Sequence, residues 1–132
     1  MDNILEEARK IRRHLHMYPE LGFELEGTAH FIETYLHDIG IGTERIAGTG
    51  VVAYIQGRDK SKPVLAFRSD MDACPLQEET SLDFKSRYKG MMHACAHDAH
   101  MAILLSVAKY LSQEKDRPEG TVKLIFQPAE EI

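Results

Sequence analysis

The sequence predicts an α/β fold in which helices pack on a central sheet. Two periodicities carry this expectation. Residues 3–18, 28–37 and 98–112 repeat apolar side chains at helical spacing, while residues 43–46, 51–56, 64–68 and 121–127 are short runs rich in β-branched or apolar side chains. A third observation concerns layering. Val51 to Ile55 and Val64 to Phe67 are nearly continuous in apolarity, which suits strands covered on both faces by helices.

In chain order, the first helix has Ile4, Leu5, Ala8, Ile11 and Leu15 as its stripe, with Asn3 and Glu6 spaced as a capping box and Pro19 and Gly22 beyond its end. His14 and His16 cannot share a helix face with each other, and surface or packing roles are expected of them. The second helix buries Phe31, Ile32, Tyr35 and Leu36 and closes at Gly40. Strands then follow, broken by Gly48, Gly50, Gly57 and Pro63, with Arg58 to Lys62 as a polar, hairpin-like loop between the second and third. Residues 76–92 read as an ordered loop. The third helix starts near Asp98, a suitable N-cap, and carries Met101, Leu104, Leu105, Ala108 and Leu111 inward. After a charged connection with Pro118 and Gly120, the alternation of Val122, Leu124 and Phe126 marks the last strand.

Composition narrows the function. The 132 residues are those of one ordinary soluble domain, and a net charge of −5 offers neither a nucleic-acid footprint nor attraction to anionic membranes. The basic cluster from Lys85 to Lys89 is short enough for a solvated loop. No apolar run approaches the roughly 18 residues of a membrane span, and the acidic N-terminus lacks a signal-peptide pattern, so a cytoplasmic protein is expected. Two cysteines make no disulfide framework. Cys74, before Pro75, reads as a small buried hydrophobe, whereas Cys95 has histidine neighbours.

Those neighbours are the densest chemistry in the chain. His93, Cys95, His97, Asp98 and His100 fall in one short run, and in an extended backbone His93, Cys95 and His97 project to one side. Thiolate and imidazole together favour zinc and its neighbours over magnesium or calcium. A structural zinc site wants four closed ligands, commonly in paired Cys-x-x-Cys motifs, and the chain has no such pair. Glu130 and Glu131 follow the last strand; adjacent residues of an extended chain face opposite ways, so one carboxylate can hold a metal while the other faces water. Asp70 and Asp72 follow the third strand, where open α/β sheets place their sites; either could orient a ligand histidine, and turn formation competes with that role.

The run Met92-His-Ala-Cys-Ala-His-Asp-Ala-His100 resembles the His-Ala-Cys-Gly-His-Asp signature of the metal-dependent amidohydrolases, the aminoacylase-like family of N-acyl-amino-acid amidohydrolases, hippurate hydrolases and indole-acetyl-amino-acid hydrolases. Three further stretches agree: residues 12–23, residues 67–80 with Ser69-Asp-Met-Asp72, and residues 120–131 ending in Gln-Pro-Ala-Glu-Glu. Asp70 stands where more distant relatives have a histidine, as in the amidohydrolase branch rather than the carboxypeptidase branch. Ala96 stands where the family usually has glycine, which would strain the chain if that position needs a positive φ.

The resemblance implies a three-layer α/β/α sandwich of the di-metal exopeptidase type, incomplete in this chain, with residues 1–132 as the N-terminal part of the catalytic domain and a smaller dimerisation domain elsewhere. It implies Cys95, His97 and Glu131 as metal ligands, Glu130 as general base and acid, and Asp70, Asp72 and Asp98 as carboxylates behind the ligands. Two divalent ions are implied, zinc or manganese foremost and cobalt or nickel next. The implied substrate is an N-acyl amino acid or small acylated peptide, and the complete enzyme is implied to be a homodimer with no nucleic-acid or membrane partner. Cys95 and Glu131 should then meet at one edge of the sheet. Two further histidine ligands of the family have no counterpart in residues 1–132 unless His93 or His100 fills in. The chain alone is therefore expected to turn over little or not at all; the alternative is a catalytically inactive fragment that folds or binds metal.

Overall fold

The computed structural model describes residues 2–132. Helices α1 (Asp2–Met17) and α2 (Glu26–Asp38) precede strands β1 (Thr43–Ile46), β2 (Gly50–Ile55) and β3 (Leu65–Asp70). Helix α3 (His97–Ser112), a 3-10 turn at Glu114–Asp116 and strand β4 (Val122–Gln127) complete the chain. The elements are those expected, each within one or two residues at its ends. The strand order is β1-β2-β4-β3, with β4 antiparallel to β2 and parallel to β3.

That order corrects one expectation. Arg58 to Lys62 do not turn a hairpin, because β4 lies between β2 and β3. The connection instead hugs the entry to β4: Arg58 N donates to the Pro118 carbonyl at 3.1 Å and Asp59 N to the Glu119 carbonyl at 2.8 Å. The two backbones approach so closely that a Cβ on Gly57 would stand 2.3 Å from the Glu119 carbonyl oxygen, and one on Gly120 2.5 Å from that of Pro63. Only glycine fits at either position.

Register decides which side chains are buried. Val51, Ala53 and Ile55 of β2 pair with Phe126, Leu124 and Val122 of β4, so all six share one face. The core that forms on this face takes in Ile11 and Leu15 of α1, Ala29, Ile32 and Leu36 of α2, and Met101, Leu104, Leu105 and Ala108 of α3. Each fully buried Leu, Ile or Phe contributes on the order of 1.5–3 kcal/mol. On the opposite face Tyr54 and Lys123 lie outside the core, the ammonium 5.6 Å from the ring centre. The helices thus contribute to a single core on one side, and the expected covering of the strands on both faces is not met. The sandwich is incomplete in this sense. At the β3 edge Leu65 and Phe67 remain 58% and 40% exposed, although they share the inward face through their pairing with Val122 and Leu124.

Helix ends show how local chemistry sets the boundaries. Asn3 lies inside α1, which begins at Asp2, so the capping box is not formed as expected. The start of α2 is capped from a distance: Glu20 accepts from Gly27 N at 3.1 Å and Thr28 N at 2.7 Å. Its end is a Schellman motif, with Gly40 at φ 81°, Gly40 N donating to the His37 carbonyl and Ile41 N to that of Leu36. Glu7 of α1 ties the three helices together, accepting from Tyr35 Oη at 2.9 Å and pairing with Lys109.

Candidate metal centre

The residues singled out by sequence gather at the C-terminal ends of β3 and β4. Parallel pairing of these strands brings Asp70 beside Gln127, and the two chains leave the sheet together. Just beyond, the buried Asp72 carboxylate accepts from both acidic residues at the end of the chain: Glu130 N donates to Oδ1 at 3.0 Å and Glu131 N to Oδ2 at 2.9 Å. One buried carboxylate therefore sets the positions of the two neighbouring glutamates. Ala129, which leads into them, has φ 58°.

His97 is the first residue of α3 and is buried. Its Nδ1 lies 2.8 Å from the Asp72 carbonyl oxygen, while the Asp72 carboxylate is 3.6 Å away, beyond hydrogen-bond range. A carbonyl only accepts, so Nδ1 carries a hydrogen, and Nε2 is the ring nitrogen left to offer a lone pair to a metal. That nitrogen faces Glu130 Oε2 at 3.7 Å and Glu131 Oε1 at 3.8 Å. The main-chain carbonyl of Asp72, rather than its carboxylate, orients the ring.

The run from His93 to His97 is not extended, which corrects the expected convergence of His93, Cys95 and His97. Residues 94 and 95 form a turn, and Ala96, at φ 65° and ψ 26°, opens α3 from the left-handed region. The strain anticipated for alanine at this position is present in the backbone. Cys95 is consequently exposed on the turn, and His97 sits on the helix. His93 joins no donor group among the described residues: it is buried, neither ring nitrogen has a hydrogen-bond partner, and burial pulls its pKa down to about 4.

Among the described residues, two groups of three donors adjoin at Glu131. Within each group, donor atoms lie no more than 4.8 Å apart; one group is His97, Glu130 and Glu131, the other Cys74, Cys95 and Glu131. Cys95 and Glu131 thus meet at the sheet end, and Glu131 belongs to the His97 group as well. The hydrogen bond with Glu131, and after it the one with Cys74, raises the Cys95 thiol to about 12. Thiols, an imidazole lone pair and two carboxylates crowded this closely form a donor set that fits a divalent cation of the zinc group, whose charge would favour the thiolate.

A third group joins Asp70, His97 and the exposed His100, whose ring centre is 5.4 Å from that of His97. Asp70, however, turns its carboxylate to Arg68, with Oδ1 3.3 Å from Nε, and makes no hydrogen bond to His97. Asp98 departs further from expectation. It is the second residue of α3, not its cap, and its Oδ2 accepts from His16 Nδ1 at 2.8 Å and Arg12 Nε at 3.3 Å. Its partners lie on α1, so it fastens that helix beneath the site instead of standing behind His97.

Sequence reasoning missed the other end of this network. His16 is buried, and its Nε2 lies 3.2 Å from Glu78 Oε1. Burial raises the Glu78 pKa, but hydrogen bonds from Ser86 N, Thr80 and His16 outweigh it and leave the carboxyl below its ordinary value. A histidine on an amphipathic helix carries no signal of two carboxylates arriving from the 76–92 loop and from α3. Cys74 was equally concealed, since its apolar neighbours fit a buried hydrophobe; an antiparallel bridge to Met92 places its sulfur 3.6 Å from that of Cys95.

A family model described as Peptidase family M20/M25/M40 matches residues 66–132. The chain is 46% identical over 132 residues to the putative amidohydrolase YhaA of Bacillus subtilis, covering 99% of this chain and 33% of that protein. To the N-acyl-L-amino acid amidohydrolase of Geobacillus stearothermophilus it is 42% identical over 133 residues, covering 100% of this chain and 36% of that one. Among solved structures, the Bacillus subtilis YXEP protein, described as a dinuclear metal binding peptidase from the M20 family, superposes with a TM-score of 0.93 at 42% identity, over 99% of this chain and 37% of that chain. The chain spans about a third of the length of the curated relatives it matches.

Proposed function

The chain belongs to peptidase family M20/M25/M40, and from that premise we propose that it forms the metal-binding part of an amidohydrolase that cuts N-acyl amino acids or small acylated peptides into an acid and a free amine. The observation that carries the proposal is the Asp72 cluster: one buried carboxylate holds Glu130 and Glu131 by their backbone N–H groups while its carbonyl fixes the His97 ring.

Each residue has a distinct task. Cys95, His97 and Glu131 would hold the metal, with Glu131 a member of both donor groups. A divalent ion, zinc or manganese foremost and cobalt or nickel next, would supply Lewis-acid polarisation of the scissile carbonyl. Glu130, 42% exposed and hence open to substrate and water, takes the proton of the attacking water and returns it to the leaving nitrogen. Asp72 keeps Glu130 and Glu131 in register, so base and ligand cannot exchange places without breaking two hydrogen bonds. The same reading includes a homodimeric, cytoplasmic enzyme without nucleic-acid or membrane partners. No helix among the described residues is long and apolar enough to cross a membrane. On its own, the 132-residue chain is expected to bind metal through Cys95, His97 and Glu131.

The test is a chimera in which residues 1–132 replace the matching third of the Geobacillus amidohydrolase. The chimera should release acid from N-acetyl or N-benzoyl amino acids only when loaded with metal. Glu130→Gln should lower kcat by roughly 10²-fold or more while metal content stays intact. Metal lost together with activity would make Glu130 a ligand. A folded, metal-loaded chimera that hydrolyses none of the panel would refute the proposal.

A further inference from the structure

Of the two donor groups that adjoin at Glu131, Cys74 is the one member without a role in the reading above. It stands immediately before Pro75, is 7% exposed, and is locked in place by two backbone hydrogen bonds: Cys74 N donates to the Met92 carbonyl at 2.9 Å and Met92 N to the Cys74 carbonyl at 3.1 Å. The Ala94 N bond to the same Met92 carbonyl, at 3.0 Å, then turns the chain so that Cys95 returns alongside Cys74. The two sulfurs are 3.6 Å apart, and both lie within 4.8 Å of a Glu131 carboxylate oxygen.

We propose that Cys74 supplies a second thiolate to the ion held by Cys95 and Glu131, making that half of the centre a dithiolate–carboxylate site for a thiophilic cation such as zinc, cobalt or cadmium. The inference rests on the reading that Cys95 and Glu131 hold metal, and it goes beyond it by naming a further ligand and the class of ion. The separation of the sulfurs is the main argument. Two sulfurs each about 2.3 Å from zinc at a tetrahedral angle lie about 3.8 Å apart, so the observed spacing already matches a chelating pair to within a few tenths of an ångström. A disulfide would need the sulfurs to close to about 2.05 Å, a much larger movement for a residue whose backbone is pinned on both sides.

The ligand type has a consequence. Each thiolate shifts preference from hard ions such as manganese and magnesium toward soft or borderline ones. A site with one thiolate remains open to manganese, whereas one with two discriminates against it. Cys74 would thereby select the metal without touching substrate.

The experiment uses the full 132-residue chain, reduced and kept anaerobic. X-ray absorption of the wild type loaded with one zinc per chain counts sulfur neighbours without any substitution, and two sulfurs at about 2.3 Å are expected; a single sulfur overturns the proposal. In cobalt-loaded protein, the near-ultraviolet thiolate-to-cobalt absorption should fall to about half in Cys74→Ser and Cys74→Ala. Preference for zinc over manganese, measured by competition, should fall by about tenfold or more in both variants. Full absorption and unchanged preference in both, with the absorption abolished in Cys95→Ser, would leave Cys95 a ligand and remove Cys74 from the site. No thiolate absorption in wild type would overturn both this inference and the assignment of Cys95.

Discussion

Replacing Ala96 by glycine should stabilise the protein, against the usual effect of putting glycine at the start of a helix. Ala96 sits at φ 65° and ψ 26°, and its carbonyl accepts from Ala99 N and His100 N as α3 begins. An L-residue in this region pays roughly 1–2 kcal/mol relative to right-handed backbone. Glycine removes that strain but gives back about 0.4–1 kcal/mol through the greater freedom of the unfolded chain. The net gain is about 0.5–1 kcal/mol. With an unfolding entropy of about 2.1 cal/mol/K per residue, or roughly 280 cal/mol/K for 132 residues, Tm should rise by about 2–4 °C. Thermal unfolding followed by circular dichroism reads this directly. Ala99→Gly, in the first turn of α3, is the internal control and should lower Tm, since glycine in a helix costs up to about 1 kcal/mol. An Ala96→Gly variant that melts at or below the wild-type temperature would refute the argument from strain.

Two other perturbations test what holds the site in place. His16→Ala takes one hydrogen-bond partner from each of the buried Asp98 and Glu78 carboxylates and should cost about 1–3 kcal/mol in urea unfolding; a loss well under about 1 kcal/mol would show that the network carries no structural weight. Arg45 bridges β1 to α2 through a bidentate pair with Glu33, at 2.7 and 2.9 Å, and its hydrogen bonds hold Glu33 below the ordinary glutamate value of 4.5. A carboxylate with a lowered folded pKa contributes fully above 4.5 and loses that contribution as pH falls through the folded value. Glu33→Gln should therefore cost about 1 kcal/mol at pH 7 and progressively less towards pH 3, and a gap independent of pH would contradict the pairing.

Local pattern carried most of the fold into view. Apolar spacing located three helices and four strands because each must bury one stripe or face, and Gly40 announced the end of α2 through its left-handed backbone. Strand order was hidden, since nothing in residues 56–64 says that β4 will arrive between β2 and β3. The site was legible in its residue types and less so in its geometry. Cys95, His97 and Glu131 stand out by ligand chemistry, but whether the 93–97 run is extended depends on the turn at residues 94–96, and the left-handed backbone of Ala96 was signalled only by the glycine usual at that place in the family. Asp98, apparently a helix cap, answers instead to His16 and Arg12. Such partners come from distant elements, and no spacing within either segment encodes them.

The central claim is a division of labour at the Asp72 cluster, with Cys95, His97 and Glu131 holding metal and Glu130 free for proton transfer. Zinc affinity of the wild-type chain and of Cys95→Ser, His97→Ala, Glu131→Gln and Glu130→Gln, measured by competition with a chromophoric chelator, tests it most directly. Each of the first three substitutions should weaken zinc binding by about 10-fold or more, while Glu130→Gln should bind within about twofold of wild type. Equal weakening by all four, or undiminished affinity after any of the first three, would contradict the assignment.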